Sequence, residues 1–322
     1  MKKLLLIVFI GVTANVVQAQ QELTLEDAVM QQYGKYYPTS TTRVQWIPGT
    51  QNYAFLSADY QTLLKGNIKK DKTTKIITTA ELGTMTGAEA RFVNVVEWVD
   101  ENAFYTAIGE QYFLINLEDK TSKIMAAHPS SSEVVDFTSA SGNLAYTQEN
   151  KLFISSLSFP IASTENEVVS GQAIARSEFG ITKGTFWSNN GLVLAYYQKD
   201  EKPVANYPLL NIDTPTGSLK SIKYPMAGQK SEKPAVVIYN VGANESVTVK
   251  PSGKSDDYLT NFGWGPKDEH FYIAEVNRGQ NHMKLNKYNA KTGALEKTLF
   301  EEKSDKWVEP ETPVYFVNDN QF

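Results

Sequence analysis

One carboxylate in this chain stands where it could take part in binding chemistry, and it belongs to Glu178. It lies in the run Ala175-Arg176-Ser177-Glu178-Phe179-Gly180-Ile181-Thr182-Lys183-Gly184-Thr185-Phe186-Trp187-Ser188, between apolar and glycine residues and just before a strand-like stretch. A carboxylate can accept charge-assisted hydrogen bonds from a cationic group. A single acidic residue before a strand is nevertheless most often a solvated loop residue, so this run alone assigns Glu178 no role.

Other residue types that commonly carry chemistry are missing from the sequence or scattered along it. There is no Gly-x-Ser-x-Gly nucleophile elbow, no glycine-rich phosphate loop and no His-Glu-x-x-His zinc motif. His128, His270 and His282 lie far apart, without a carboxylate at metal-ligand spacing, which is typical of surface or turn residues. From its motifs, the chain is expected to have no catalytic residue, no metal and no cofactor.

Composition narrows the class of protein. The 322 residues carry a formal net charge of −5 and include no cysteine, so disulfides cannot contribute to stability. The lysine-rich stretch 65–75 indicates a solvated hairpin, and nucleic acid is not expected as a partner. A hydrophobic content of 41% is sufficient for a large core.

The N-terminus has the pattern of a cleaved signal peptide. Lys2 and Lys3 precede the apolar run 4–12, and Val17-Gln18-Ala19 forms a small-x-small cleavage signal. The apolar run is too short to predict a membrane-spanning helix. We therefore expect residues 1–19 to be removed, the mature chain to begin near Gln20, and the protein to be secreted or periplasmic.

The elements that must position Glu178 are predicted to be short β-strands. After a short helix at 24–29, with Thr24 as N-cap, one phrase recurs: an apolar strand ending in an aromatic residue, a polar turn, and a second strand. It occurs at residues 44–56, 95–106, 135–147, 184–197 and 262–274. Four-stranded units that repeat in this way are typical of β-propeller blades, with a sandwich as the structural alternative.

The last part of the sequence reads as an unfinished blade. A fourth strand is predicted over 294–300, and an apolar strand with a turn over 314–322. No partner strand follows it. We therefore expect an all-β propeller with about five blades, covering residues 20–322 and interrupted within a blade.

Three longer phrases carry a family resemblance. They are Glu178 to Ser188 in the run given above, Tyr224-Pro225-Met226-Ala227-Gly228, and Tyr272-Ile273-Ala274-Glu275-Val276-Asn277-Arg278-Gly279-Gln280-Asn281. Together with Ala195-Tyr196-Tyr197, Asp200 and Val204, they resemble the N-terminal β-propeller of the dipeptidyl peptidase IV branch of the prolyl oligopeptidase family. Within that branch the bacterial prolyl tripeptidyl aminopeptidases are most similar. The resemblance is specific over residues 171–310 and weaker before them.

The resemblance implies a larger protein. In that family an eight-bladed propeller covers an α/β-hydrolase domain with a Ser-Asp-His triad, and neither the triad nor that domain is in this sequence. The chain then resembles the propeller portion of a secreted serine exopeptidase that releases short N-terminal peptides after proline. The implied partners are peptides with a free N-terminus and proline at the cleavage position, and the missing C-terminal hydrolase domain. The full protein could also form a homodimer.

A role for Glu178 is also implied by the resemblance. Dipeptidyl peptidases carry two adjacent glutamates that grip the substrate's α-amino group, on a short segment inserted from the propeller into the cavity. This chain has Glu178 preceded by Ser177, and no arginine between Phe104 and Tyr112, where dipeptidyl peptidases place one. Both departures favour the release of tripeptides over that of dipeptides.

Two hypotheses from different classes remain open at this point. In one, the chain is part of a serine exopeptidase, with Glu178 as the substrate anchor. In the other, it is a secreted propeller that binds a partner and carries out no chemistry. The two differ in whether a Gly-x-Ser-x-Gly motif with later Asp and His residues belongs to the same gene product.

Overall fold

The structure, a computed structural model, describes residues 23–31, 33–37, 40–162 and 167–322. The predicted signal peptide lies outside the described residues. The first described element is the helix α1 (Leu25–Met30), in which the Thr24 hydroxyl accepts a hydrogen bond from the Asp27 amide while the Asp27 carboxylate accepts one from the Thr24 amide. This capping box satisfies amides that the first helical turn leaves free. It confirms the short N-terminal helix and its Thr24 cap.

Four antiparallel strands form the first sheet, in which neighbours in sequence are neighbours in space. They are β1 (Thr42–Trp46), β2 (Asn52–Leu56), β3 (Thr62–Asn67) and β4 (Lys70–Thr78). The lysine-rich stretch is the β3–β4 hairpin, as predicted. A helix that the sequence did not predict, α2 (Thr79–Thr86), follows β4 and is capped by Thr78 and Glu81. Its threonines and glycine have low helix propensity, which hid it.

The second and third sheets repeat this four-stranded meander. The second contains β5 (Val95–Asp100), β6 (Ala103–Ile108), β7 (Gln111–Asn116) and β8 (Thr121–Ala127). The third contains β9 (Val135–Phe137), β10 (Leu144–Gln148), β11 (Lys151–Ile154) and β12 (Pro160–Ala162).

The fourth sheet carries two insertions. Its strands, with an inserted hairpin, are β13 (Val168–Ser170), β14 (Thr185–Trp187), β15 (Val193–Asp200), β16 (Asn206–Asn211), β17 (Ser218–Lys223), β18 (Lys233–Asn240) and β19 (Glu245–Thr248). Both β13 and β14 pair with β15, so together they fill the first-strand position, with the 171–184 loop between them. Strands β16 and β17 pair only with each other among the described strands, as a hairpin between β15 and β18.

The fifth sheet is again a meander, and the segment after it corrects one prediction. It contains β20 (Tyr258–Trp264), β21 (His270–Val276), β22 (His282–Asn289) and β23 (Leu295–Lys303). The strand predicted over 314–322 was wrong: that segment contains only an isolated bridge between Asn318 and Gln321. Val314 and Phe316 instead pack their side chains against this sheet, where the Phe316 ring contacts that of Tyr272. No described strand lies beside the segment to form a ladder with it.

Consecutive sheets pack face to face, as propeller blades do. One buried cluster joins the first and second sheets, another the third and fourth, and another the fourth and fifth. The first strands of four successive sheets line one shared cavity of about 320 Å³, to which they contribute Glu97, Asp136, Trp187 and Trp264. First strands that converge on a common space mark a central axis. The described residues thus form five blades, which confirms the propeller and excludes the sandwich.

Candidate functional site

The 171–184 loop leaves the fourth blade through a narrow neck. The Gly171 amide donates to the carbonyl of Tyr197 at 2.8 Å, and the Tyr197 amide donates to the carbonyl of Gly184 at 2.8 Å. The two glycines therefore share one pairing position on β15, between the pairs Ser170–Gln198 and Thr185–Tyr196. A Cβ on Gly184 would overlap the backbone of Gln172, so the two ends of the loop can approach only because this residue is glycine.

Side chains at the neck tie the loop to the third blade. The Lys183 ammonium lies 3.2 Å from the Asp136 carboxylate, and the Thr185 hydroxyl donates to the same carboxylate at 2.8 Å. On the other side of the neck, the Gln172 amide donates to Glu133 at 2.8 Å. The loop is thus fixed at its base by two blades.

Within the loop, Glu178 follows a short 3-10 helix, Ala175–Ser177. The backbone here alternates in an unusual way, because Ala175, Ser177 and Phe179 have left-handed φ angles of 50°, 62° and 56°. Such angles cost non-glycine residues roughly 1–3 kcal/mol each and persist only where the surroundings impose them. Glu178 itself is extended, with φ −65° and ψ 164°, and its side chain is exposed.

Neighbouring elements hold this strained segment from three sides. Glu232, just before β18, accepts a hydrogen bond from the Ala175 amide at 3.2 Å. The ring of Phe179 packs on that of Tyr258 with centroids 4.9 Å apart. Gly180 lies so close to the backbone of Glu311 that a Cβ would overlap its carbonyl oxygen. Glu178 is therefore presented by a constrained loop rather than by a freely moving one.

Glu178 lines a cavity of about 350 Å³ that also receives residues from the fifth blade and the base of the β16–β17 hairpin. The other charged residues of its lining are Lys199, Glu201, Lys223, Glu232, Asp256, Asp257 and Arg278. Three phrases that are far apart in the sequence meet here, because Pro225 and Arg278 line the same cavity as Glu178.

Most of the cavity's charges are already engaged. The Lys199 ammonium lies 2.7 Å from Glu201 and 3.8 Å from Glu232. Lys223 lies 2.5 Å from Glu167, and its ammonium also donates to the carbonyl of Val204 at 3.1 Å. The Glu178 carboxylate, by contrast, makes no hydrogen bond or ion pair with any residue that the structure describes. It is thus available to a ligand that brings its own positive charge.

A tyrosine–arginine pair from the fifth blade completes the lining. Arg278 donates from Nη1 to the Tyr258 hydroxyl at 2.6 Å, and Gln280 donates to the same hydroxyl at 3.2 Å. The Arg278 backbone amide donates to Asp257 at 3.1 Å. Because Tyr258 also packs on Phe179, this pair and the Glu178 loop form one contact network.

The rest of the third phrase builds the turn that carries Arg278. The Asn277 side chain accepts hydrogen bonds from the amides of Asn281 and His282, both at 3.0 Å, and thereby closes the β21–β22 turn.

Glu275 is buried and accepts hydrogen bonds from the Ser252 amide and hydroxyl, the Gly253 amide and the Tyr288 hydroxyl. A buried carboxylate with four donors is satisfied. Glu275 therefore has a structural role outside the cavity.

The sequence identified only part of this lining. The sequence predicted a role for Glu178. Pro225 and Arg278 lay in the phrases that carry the family resemblance, but the sequence assigned them no role. Lys199, Glu232 and Tyr258 were missed, because nothing local marks them: the Glu232–Ala175 contact, for example, joins residues 57 positions apart.

The three histidines lie outside the cavity, and two of them form pairs with glutamates. His270 lies 3.1 Å from Glu296, and His282 lies 2.8 Å from Glu301. Within the described ranges, no group of three or more His, Cys, Asp or Glu side chains could hold a metal ion. In the same residues, no helix is long and apolar enough to span a bilayer.

Comparison with known protein families gives one match. The family described as the dipeptidyl peptidase IV (DPP IV) N-terminal region matches residues 98–322. Among curated proteins, dipeptidyl-aminopeptidase B of Podospora anserina is 27% identical over 155 residues, which cover 41% of this chain and 17% of that protein. The dipeptidyl-aminopeptidase B of Uncinocarpus reesii is 20% identical over 234 residues, which cover 64% of this chain and 25% of that protein.

Solved structures give the same result for the fold. A Bacteroides ovatus structure described as a dipeptidyl aminopeptidase IV is 31% identical with a TM-score of 0.77, covering 87% of this chain and 40% of that one. Porphyromonas gingivalis dipeptidyl peptidase 4, at 16% identity and a TM-score of 0.69, supports the fold alone, over 90% of this chain and 44% of that one. The chain thus spans less than half of the length of the relatives it matches.

Proposed function

The chain belongs to the family of dipeptidyl peptidase IV N-terminal regions, and we propose that it is the propeller portion of a serine exopeptidase in which Glu178 binds the substrate's free α-amino group. The observation that carries this proposal is that Glu178, Pro225 and Arg278 line one cavity. Among the described residues, the Glu178 carboxylate has no hydrogen-bond or ion-pair partner there. An α-ammonium group entering the cavity loses water, and a carboxylate that meets it forms a charge-assisted hydrogen bond worth about 1.5–3 kcal/mol.

The constrained loop supports an anchoring role. Binding strength suffers when a contact residue must first be ordered, so an anchor held in place before binding loses less entropy. The Glu232, Tyr258 and Glu311 contacts restrain the segment on either side of Glu178. An anchor at a fixed distance from a nucleophile on another domain would also determine how many residues are released.

We propose further that tripeptides ending in proline are released in preference to dipeptides. Ser177, which precedes Glu178, is uncharged and cannot serve as a second anionic anchor. The proposal also includes secretion to the periplasm or beyond after cleavage of residues 1–19, the hydrolase domain as the propeller's partner, and a homodimer of the full protein.

The test uses the full-length protein and a pair of peptide substrates that differ only in a blocked N-terminus. Glu178→Gln is expected to lower kcat/KM for the free peptide by roughly 10- to 100-fold, as the loss of about 1.4–2.8 kcal/mol implies. The blocked peptide, which offers no ammonium group, should be a poor substrate of the wild type and barely affected by the substitution.

Two outcomes would contradict this proposal. Equal losses on both peptides would show that the effect of Glu178 does not depend on the substrate's α-ammonium group. No loss on either would make Glu178 a solvated surface residue and would favour a propeller that only binds a partner.

A further inference from the structure

Arg278 is a cation of the cavity without a carboxylate partner. Its guanidinium makes no ion pair with any described residue, whereas Lys199 and Lys223 are each paired. Its described side-chain contacts are the hydrogen bond from Nη1 to the Tyr258 hydroxyl and the Tyr258 ring, whose centroid lies 5.2 Å away. A guanidinium has five N–H donors in a planar fork, so most of them stay available to a ligand.

Tyr258 orients that fork. Its hydroxyl oxygen accepts from both Arg278 and Gln280, which uses its two lone pairs and leaves its hydrogen free to donate. The ring is itself held by Phe179, next to Glu178. Arg278 is also fixed at its backbone by Asp257. The guanidinium and the phenolic hydrogen therefore form a restrained donor group on the cavity wall.

Among the residues that the structure describes, Glu178 is thus an anion of the cavity without an ion-pair partner and Arg278 a cation without one, on two different elements that do not pair with each other. A ligand that satisfies both carries a positive and a negative group close together. A peptide whose N-terminal residue is Glu or Asp has this arrangement, with its α-ammonium next to its side-chain carboxylate. The cavity's volume of about 350 Å³ can hold such a residue.

We propose that Arg278, oriented by Tyr258, is a specificity-determining residue that binds an acidic side chain on the N-terminal residue of the substrate. This inference rests on the proposed function, because it requires that Glu178 hold the α-ammonium group. Arg278 suits the task because a guanidinium matches a carboxylate in a bidentate, planar geometry. Asp256, an exposed acid in the same lining, acts against it by repelling the substrate carboxylate.

The experiment measures kcat/KM of the full-length protein on reporter peptides X-Ala-Pro and X-Pro, where X is Glu, Gln or Lys. Glu and Gln have nearly the same shape, so their ratio isolates the charge. The wild type is expected to prefer Glu over Gln by about 10-fold at low salt, and this preference should shrink at high salt, where exposed charges are screened. Lys should be the poorest of the three.

Four variants separate specificity from folding and from anchoring. Arg278→Met should bring the Glu/Gln ratio to about 1 while keeping the discrimination between free and blocked N-termini. Tyr258→Phe should lower the ratio partly, and Asp256→Asn should raise it. Glu178→Gln should lower kcat/KM for all three peptides by the same factor and leave the Glu/Gln ratio unchanged. Loss of α-ammonium binding at Glu178 is therefore distinguishable from loss of side-chain recognition at Arg278.

A Glu/Gln ratio near 1 in the wild type would overturn the inference, as would a ratio that Arg278→Met leaves unchanged. If Arg278→Met lowers the thermal midpoint of unfolding, its Glu/Gln ratio is set aside. The ratio of Tyr258→Phe, measured with a midpoint equal to that of the wild type, is then the test. An unaltered ratio in that variant would equally refute the assignment.

Discussion

Gly180 and Gly49 have nearly the same left-handed backbone but different surroundings. Their φ angles are 69° and 72°. Around Gly49 nothing lies within 4 Å of the position a Cβ would take, whereas at Gly180 a Cβ would overlap the carbonyl of Glu311. The two sites therefore separate the conformational cost of a left-handed residue from the cost of close packing.

We expect Gly49→Ala to lower the free energy of unfolding by about 1–2 kcal/mol, the usual cost of that conformation for an L-residue. Gly180→Ala should lower it further, by at least about 1 kcal/mol more, because backbone must move to admit the methyl group. Denaturant midpoints of the two variants and the wild type test this. Equal losses would mean that the loop near Glu178 is not held against the 311 segment.

At the level of single residues, the sequence singled out Glu178 as a candidate but not the residues that hold its loop in place. Glu178 could be identified because its local run is distinctive. Glu232 and Tyr258 could not, because their contacts with the loop depend on which blades become neighbours. Local sequence carries little information about such distant pairings.

Strand β15 is the element on which the fourth blade depends, and it carries two buried tyrosines. Burial raises the pKa of the phenols of Tyr196 and Tyr197, and the backbone of Phe262 only partly opposes the shift at Tyr197. The Tyr197 hydroxyl makes no hydrogen bond of normal geometry with the described residues. The folded state therefore favours the neutral phenol.

This predicts a loss of stability in alkali. An unfolded tyrosine ionises near pH 10, so the contribution of these phenols is fully present below that pH and is lost as the pH rises from there toward their folded pKa values. Tyr197→Phe should make the fall in unfolding free energy above pH 10 shallower, and should raise stability at neutral pH by about 1 kcal/mol, since an unsatisfied buried hydroxyl is removed.

Urea denaturation at neutral and alkaline pH measures both effects. Tyr33→Phe, at an exposed position, is the matched control because it removes a hydroxyl without emptying a buried site. A steeper alkaline fall in Tyr197→Phe than in the wild type would contradict the assignment.

The strands themselves were largely predictable. Five recurrences of one strand–turn–strand phrase gave the five blades, because the inner strands of each blade are buried and their turns are marked by Gly, Asn and Asp. The strand expected over 314–322 failed for the opposite reason: an apolar run becomes a strand only where a neighbour supplies hydrogen bonds. The β16–β17 hairpin was not predicted, because it exposes Leu210 and Leu219 and lacks the pattern of buried residues that marked the blade strands.

For the whole molecule, the signal-peptide prediction concerns residues outside the described ranges and needs its own measurement. Protein purified from its own host should begin at or near Gln20, because the charged, apolar and small-residue regions before it match the processing pattern. Mass spectrometry of the intact N-terminus decides this. Mature protein that retains Met1 would contradict it.

The shared pairing position opposite Tyr197 has a consequence for how such a molecule can diversify. The segment from Gly171 to Gly184 occupies one pairing position in the sheet. Gly171 supplies the amide of that position and Gly184 supplies its carbonyl. Loop sequence and length can therefore change as an interchangeable cassette without shifting the register of any strand. Descendants of one scaffold could thus acquire different ligand preferences while inheriting the same propeller unaltered.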